Sequence, residues 1–387
     1  MKKILFFDFV TSVGGVQTVL LNILEKMSNM GNYYTISYLD PYNNQFTNKI
    51  KNAFVKKEKL PIWPQKTALG WQNKRTRFIL LLAMGPFYLF YLLKLTMFMK
   101  KFDLIYCNQK KSLIITHLVN LLLRKKVVYH AHGFNKSSDI GLLFKHCINR
   151  SDIVIAVSKD VVNKLIESGV YAEKIHLVYN GVDIKAIDKI KVSVPKNYDY
   201  DMKNFNLFIA CSIHVGKGLD ILISAINELF KANYKINLYI AGSVPKGGSL
   251  LYLTELEEYV NKNNLMNNVF FLGWQENIIA LMKSMDAVIL PSIVEESFGM
   301  VLAEAMAIGR PVIGSDIGGI KEVIDHEKNG YLTKPGDKNE IKKYLIKLLD
   351  KNKLYFEFCK NSRIKAEKSF SLDHQVLEIH RLIQSIF

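Results

Sequence analysis

Two glutamates, Glu296 and Glu304, stand eight positions apart in "EESFGMVLAEA" (residues 295–305), with Ser297, Phe298 and Gly299 directly after the first. The stretch before them, "AVILPSIV", predicts a buried strand ending in a Pro-Ser loop. The stretch after, "VLAEAMAIG", predicts an apolar helix closed by Gly309. One carboxylate thus lies in a loop and the other inside an apolar helix. A helix N-terminus presents free N–H groups and positive partial charge, which hold phosphate. Gly299 lets backbone approach such a ligand closely. Glu304, about one and a half turns further in, passes the phosphate and reaches a neighbouring group. An ionised carboxylate on an apolar face needs donors, and a vicinal diol offers two. Glu296, ahead of the helix, reaches hydroxyls on the other side. The pattern suits hydroxyls at both ends of a diphosphate, a nucleotide sugar. A capped helix with an ordinary buried Glu–Lys pair fits the spacing equally well.

The elements that must position these residues alternate between strand and helix. With 387 residues, the chain is too long for one core. "KILFFDFV", "YYTISYL", "FDLIYC", "KVVYH", "DIVIAVS" and "KIHLVYNGVD" form a first set of strands. "FNLFIACS", "INLYIAG", "NVFFLG", "AVILPS" and "RPVIGS" form a second. Each run is apolar almost throughout, as strands covered on both faces must be. This predicts an α/β protein with two doubly wound, Rossmann-like domains and parallel sheets, the ligand lying in the crevice between them. The domains are expected at residues 1–190 and 205–369, joined by the polar linker 191–204 and followed by a terminal helix over 370–387.

Charge is uneven along the chain. Residues 1–190 hold 28 Lys and Arg against 12 Asp and Glu; residues 191–387 hold 24 against 23. An acidic partner would therefore meet the first half. Residues 49–77 carry nine basic side chains and one acidic, with Trp63 and Trp71 interleaved. "FILLLAMGPFYLFYLLKLTMFM" (residues 78–99) follows, and its Gly85-Pro86 predicts two shorter helices. A basic, Trp-containing run beside an apolar helix is the pattern of a surface anchor on an anionic membrane. A buried core helix and a membrane span are the alternatives, and a span would split the first sheet across the bilayer. The four cysteines are scattered, which argues against a disulfide framework or a Cys zinc site and fits a reducing cytosol. The opening "MKKILFFDFVTSVGG" is too short an apolar run for a signal peptide and predicts a first strand. No nucleic-acid-binding motif accompanies the basic charge, so no nucleic-acid partner is expected.

"ESFGMVLAE" resembles the signature of the retaining glycosyltransferases of family 4, which have the GT-B fold. "NNVFFLGW", "DAVILPS", "EAMAIGRPVIGSDIGGIKEVI", "NGYLTKPGD", "GKGLDILISAI", "AVSKDVVNKLIESGVYAEKIHLVYNGVD" and "FSLDHQVLEIHRLI" resemble further segments of that family, in its order. The resemblance implies a two-domain GT-B architecture with an interdomain cleft and a C-terminal helix crossing back to the first domain. It implies transfer from a nucleotide-sugar donor to a glycan acceptor, of the bacterial surface-polysaccharide type. It also assigns roles. Lys217 would neutralise the diphosphate, and Ser297, Phe298, Gly299 and Met300 would offer it backbone N–H groups. Glu304 would hold the ribose and Glu296 the donor sugar, and the loop 273–277 would border the base. Gly14 and Gly15 would reach the donor phosphates from the first domain. His132, in "YHAHGF", would lie near donor sugar and acceptor, with His130 turned to the opposite face of the strand end. No metal or other cofactor is implied; Asp199 and Asp201, the one Asp-x-Asp pair, fall in the polar linker. Where the family often has an Arg, five residues before Lys217, this chain has Ser212. His214, Arg310 and Lys321 are the substitutes in view. A lipid-linked acceptor, on the cytoplasmic face of the cell membrane, would explain the basic half. A non-catalytic GT-B partner subunit is the rival, against which intact Glu296, Glu304, Lys217 and His132 argue.

Overall fold

The protein is described here as a computed structural model, covering residues 1–10, 14–41, 45–59, 74–134, 137–195, 200–245 and 247–387. It divides into two compact units, residues 1–178 with 375–387 and residues 179–374. The first unit holds β1 (Lys2–Phe7), β2 (Tyr34–Leu39), β3 (Val55–Glu58), β4 (Leu104–Cys107), β5 (Lys126–Ala131), β6 (Ile153–Ala156) and β7 (Ile175–Leu177). They make one sheet in the order 3-2-1-4-5-6-7, every pairing parallel. The second unit holds β8 (Phe205–Ala210), β9 (Ile236–Ala241), β10 (Val269–Gly273), β11 (Ala287–Leu290), β12 (Val312–Ser315) and β13 (Gly330–Thr333). Their order is 10-9-8-11-12-13, again all parallel.

The central strands bury both faces: Ile4 to Phe7, Leu104 to Cys107 and Ala287 to Leu290 are all inside. Parallel strands need helical crossovers, which cover the sheet above and below and place the strand C-termini along one edge. Order reverses beside β1 in one sheet and β8 in the other, and ligands of open α/β sheets gather at such points. The edge strands β3 and β13 carry no sequence signal of this kind. In β3 only Val55 is buried, while Lys56 and Glu58 pair across its polar face at 3.0 Å.

The units divide ahead of the boundary read at residue 190. Val182 exchanges backbone hydrogen bonds with the 370–372 segment, and Arg363 grips Asp188 through both guanidinium nitrogens at 2.7 and 2.8 Å. Residues 179–190 are thereby tied to the second unit. The C-terminal helix Leu372–Gln384 passes to the first unit, where the Tyr34 hydroxyl meets His380 Nδ1 at 2.7 Å and the Lys2 ammonium lies over Phe387.

Pro86 does not split the apolar segment. One helix, Lys74–Met99, runs through it. Tyr91, Leu95 and Met99, at every fourth position, are buried against the unit. Burying three such side chains is worth about 1.5–3 kcal/mol each, against about 3 kcal/mol for an interior proline. The same helix leaves Leu89, Phe90, Leu93 and Met97 exposed. Among the described residues no helix is long and apolar enough to cross a membrane. Of the basic run, residues 60–73 lie outside the described residues.

Candidate active site

Beyond the ends of β8 and β11, two loops are knitted together. Ile293 N–H donates to Gly216 O at 2.9 Å. Gly218 takes a positive φ of 65°, and a Cβ there would stand 2.3 Å from Pro291 O, so only glycine lets the loops meet. The contact delivers Lys217 to Glu296: ammonium and Oε1 form an ion pair, and Ser292 Oγ donates to the same oxygen at 2.7 Å. The two side chains retain only 15% and 19% exposure. Gly319 N–H, from the loop after β12, holds the main-chain carbonyl of Glu296 at 2.7 Å, which fixes the backbone that carries this carboxylate.

The helix Met300–Ile308 starts four residues later, with Gly299 ahead of it at φ 91°. Phe298 anchors the turn; its buried ring lies 6.0 Å from that of Tyr179 and 5.3 Å from that of Phe370. Its side chain is structural, and only its backbone is free to serve a ligand. Ser297 and Met300 are half-buried beside it. Six of the nine helix residues are buried. The remaining stripe, Met300, Glu304 and Ile308, is the one partly open face. Glu304 therefore sits one turn in, about 6 Å along the axis from the helix start. No hydrogen bond or ion pair reaches its carboxylate among the described residues, and burial pushes its pKa up to about 7. A buried polar group without a partner costs free energy, so this one is poised for an incoming donor.

Of the substitutes for the missing arginine, two are placed nearby. His214 Nδ1 accepts Gly216 N–H at 3.2 Å, and its pKa is lowered by burial and then by Lys217. Lys321 is exposed just after Gly319. Arg310 is not a substitute. It stands past the far end of the helix, about 15 Å from its start, and donates to Lys283 O at 2.6 Å. Along the same edge, Gly242 N–H donates to Gly273 O at 2.8 Å, which positions the loop 273–277. There Trp274 is exposed and Asn277 caps the next helix. Asp201 is used locally, accepting Lys203 N–H at 2.8 Å, and Asp199 lies outside the described residues.

In the first unit, Gly14 precedes the helix Gly15–Ser28; both glycines are exposed, and Gly14 N–H donates to Gln17 Oε1 at 3.0 Å. His132 follows β5. Its Nε2 meets Asn108 Oδ1 at 3.2 Å, its Nδ1 is buried without a partner, and burial depresses its pKa to about 4. His130 does not turn to the opposite face: the two rings lie 4.2 Å apart, because residues two apart share a strand face. His130 is fully buried on the Tyr106 hydroxyl, which makes it structural. Ser292 and Asn108, which seat Glu296 and His132, have no sequence pattern of their own. Asp8, at the end of β1, was also without one: it is buried, and burial raises its pKa to about 8, with Phe9 N–H opposing and Asp40 adding.

Two family models match this chain in succession: Glycosyltransferase Family 4 over residues 13–186 and Glycosyl transferases group 1 over residues 192–365. The chain belongs to the GT-B glycosyltransferases. This glycosyltransferase is 25% identical over 382 residues to an uncharacterized glycosyltransferase of Haemophilus influenzae, covering 95% of this chain and 96% of that one. It is 29% identical over 253 residues to the N-acetyl-alpha-D-glucosaminyl L-malate synthase of Bacillus anthracis. That match takes in 64% of each chain, under two thirds of the relative's length. In fold it is similar to the Anabaena protein HepE, solved with UDP and glucose, at a TM-score of 0.80 and 24% identity over the whole of both chains.

Proposed function

We propose that this glycosyltransferase moves a sugar from a nucleotide-sugar donor to a glycan hydroxyl, with retention at the anomeric carbon. The observation that carries the reading is the unpartnered Glu304 on the one open stripe of a helix, with the Lys217–Glu296 pair lying ahead of that helix's N-terminus. The diphosphate takes the helix N–H groups at Ser297, Phe298, Gly299 and Met300, and Lys217 adds a cation to the leaving group. Glu304 accepts the ribose hydroxyls and Glu296 those of the sugar. Gly14, Gly15 and His132 serve the donor phosphates and the acceptor from the first unit. His132 stays neutral at pH 7, which suits a hydrogen-bond partner rather than a cation. The departing phosphate helps to take the acceptor proton on the face it leaves, so Glu296 is not a nucleophile. No metal is required, since the helix end and Lys217 meet the diphosphate charge. HepE, bound to UDP and glucose, supports a nucleotide sugar as donor.

The acceptor is lipid-linked, and the enzyme works peripherally on the cytoplasmic face of the cell membrane in surface-polysaccharide or glycolipid synthesis. The basic surplus of the first half and the exposed Leu89, Phe90, Leu93 and Met97 support this. The test is a panel of nucleotide sugars, scored for released nucleotide with a detergent extract as acceptor, with NMR of the product's anomeric configuration. One donor should stand out, and its product should keep the donor's configuration. Inversion would overturn the retaining mechanism; no turnover and no binding of any nucleotide sugar would overturn the enzyme reading.

A further inference from the structure

A second polar site lies in the first unit, at the opposite end of the sheet from His132. Where the parallel strands begin, a cavity of ≈ 320 Å³ is lined by His117, Asn120, Arg124, Lys125, Lys126, Arg150 and Asp152. Lys126 opens β5 and Asp152 directly precedes β6, so the cavity faces away from the strand C-termini that carry the proposed chemistry.

Its charge is unbalanced. Asp152 is consumed: Oδ1 takes the Lys126 ammonium at 3.0 Å and Oδ2 takes Val127 N–H at 2.9 Å. The Lys125 ammonium donates to a carbonyl, Lys100 O, at 2.9 Å, and not to a carboxylate. The guanidinium groups of Arg124 and Arg150 have no hydrogen bond or ion pair among the described residues. His117 adds no charge at neutral pH; its pKa falls to about 4 through burial and then the neighbouring Arg150.

The site is also built. Arg124 ends the helix Lys110–Leu123 in a left-handed conformation, φ 52°, uncommon for a non-glycine residue. Asn120 holds that turn with both side-chain atoms, its Nδ2 donating to Lys125 O at 2.8 Å and its Oδ1 accepting Lys125 N–H at 2.5 Å. Two consecutive cations, Arg124 and Lys125, are thus presented at a fixed turn, beside the paired Lys126.

The neighbouring surface is apolar. Leu118, Leu121 and Leu122, spaced to share one face of the helix that ends at Arg124, are 50%, 64% and 74% exposed. The Lys125 ammonium ties the rim of the cavity to Lys100, just past the end of the helix Lys74–Met99. A free anion would use the cations and ignore the leucines; nucleic acid has no use for them either. A phosphate headgroup carrying a hydrocarbon chain would use both.

We propose that this cavity binds the phosphate headgroup of a membrane lipid, with the leucine face resting on the hydrocarbon. The proposal rests on the membrane reading above and narrows it to one site.

Flotation with phosphatidylcholine vesicles, with and without phosphatidic acid, tests it. The wild type should float with the phosphatidic acid vesicles. Arg124→Asn combined with Arg150→Gln should weaken that capture about thirtyfold, a factor of about five per cation. Asn suits a left-handed turn, so the fold should hold; Arg150→Gln alone, with a loss of about fivefold, guards against a misfolded double variant. Leu121→Ser with Leu122→Ser should make the remaining binding salt-labile, because only the electrostatic part is left. Nucleotide release in detergent should be unchanged in every variant. Wild-type vesicle binding that the arginine variants share would overturn the cavity and leave the membrane reading intact. No vesicle binding by the wild type would overturn both. Calorimetric binding of inorganic phosphate, lost in the arginine variants, without vesicle capture would make this a free-phosphate site and refute the lipid.

Discussion

The Glu304 carboxyl links donor affinity to pH. In the free protein its pKa is raised from 4.5 to about 7, through burial. At about 1.4 kcal/mol per unit, holding the charge there costs up to about 3.5 kcal/mol, less what water reaching the open stripe returns. Hydroxyl donors from a ribose would stabilise the ionised form and lower its pKa, so binding releases a proton below about pH 7. The sign follows: affinity rises as pH increases through about 7 and then levels. The ionised fraction is about 3% near pH 5.5 and about 90% near pH 8, which predicts roughly thirtyfold tighter binding at the higher pH. A nucleotide sugar such as UDP-glucose is the right probe, because its diphosphate does not titrate in this window. His214 acts in the opposite sense, since its protonation at low pH would favour an anionic ligand. Isothermal titration across that range in two buffers of different ionisation enthalpy measures affinity and proton release together. Glu304→Gln should flatten the profile, and Glu304→Ala should lose about 1–3 kcal/mol at pH 8. A flat wild-type profile, or one with the same slope in Glu304→Gln, would refute the assignment of Glu304 to the donor.

Lys217→Ala and Glu296→Ala should each lower turnover about a hundredfold while the thermal midpoint moves little, since the pair is partly solvated; equal losses of stability and activity would make the pair structural. Activity should survive EDTA and gain little from added Mn²⁺ or Mg²⁺; complete loss restored by metal would return Asp199 and Asp201 to consideration. Asp8, raised from 3.8 to about 8 by burial, holds more protons folded than unfolded between those values. The Asp8 contribution to stability should therefore fall as pH rises through that window, and Asp8→Asn should remove that share of the pH dependence in urea titrations at several pH values.

Much of the fold was legible because parallel sheets covered on both faces write themselves as unbroken apolar runs. β1, β4, β6, β8, β9 and β11 are such runs, and each pairs with a strand on both sides. Two of the four edge strands, β3 and β13, were not legible for the same reason. β3 pairs on one side only and buries one residue of four, so "VKKE" carries no pattern to read. The domain boundary was read late because polar composition marks a linker only where nothing else binds it. Residues 179–190 look like the end of one domain by order, yet Tyr179, Val182 and Asp188 spend their contacts on Phe298, Phe370 and Arg363. Those partners are far along the chain, and local sequence holds no trace of them.

The site shows the same division between local and distant causes. Glu296, Glu304 and Gly299 were readable together because one strand-loop-helix unit sets their relation. Lys217 was readable only through resemblance, for nothing within "GKG" says that Gly218 exists to let Pro291 pass. What neither source could supply is the charge balance. In the free protein Lys217 is already engaged by Glu296, and Ser212 offers no cation in place of an arginine. Arg310, the nearest arginine downstream in sequence, is spent on Lys283 O at the wrong end of the helix. An arriving diphosphate must then either share Lys217 with Glu296 or draw on the helix N-terminus and exposed Lys321. In the first case Glu296 is released toward the sugar hydroxyls as the donor settles. The ion pair would then be the resting state of the donor-binding residues themselves, and donor binding would reorient Glu296 at the moment its new partners arrive.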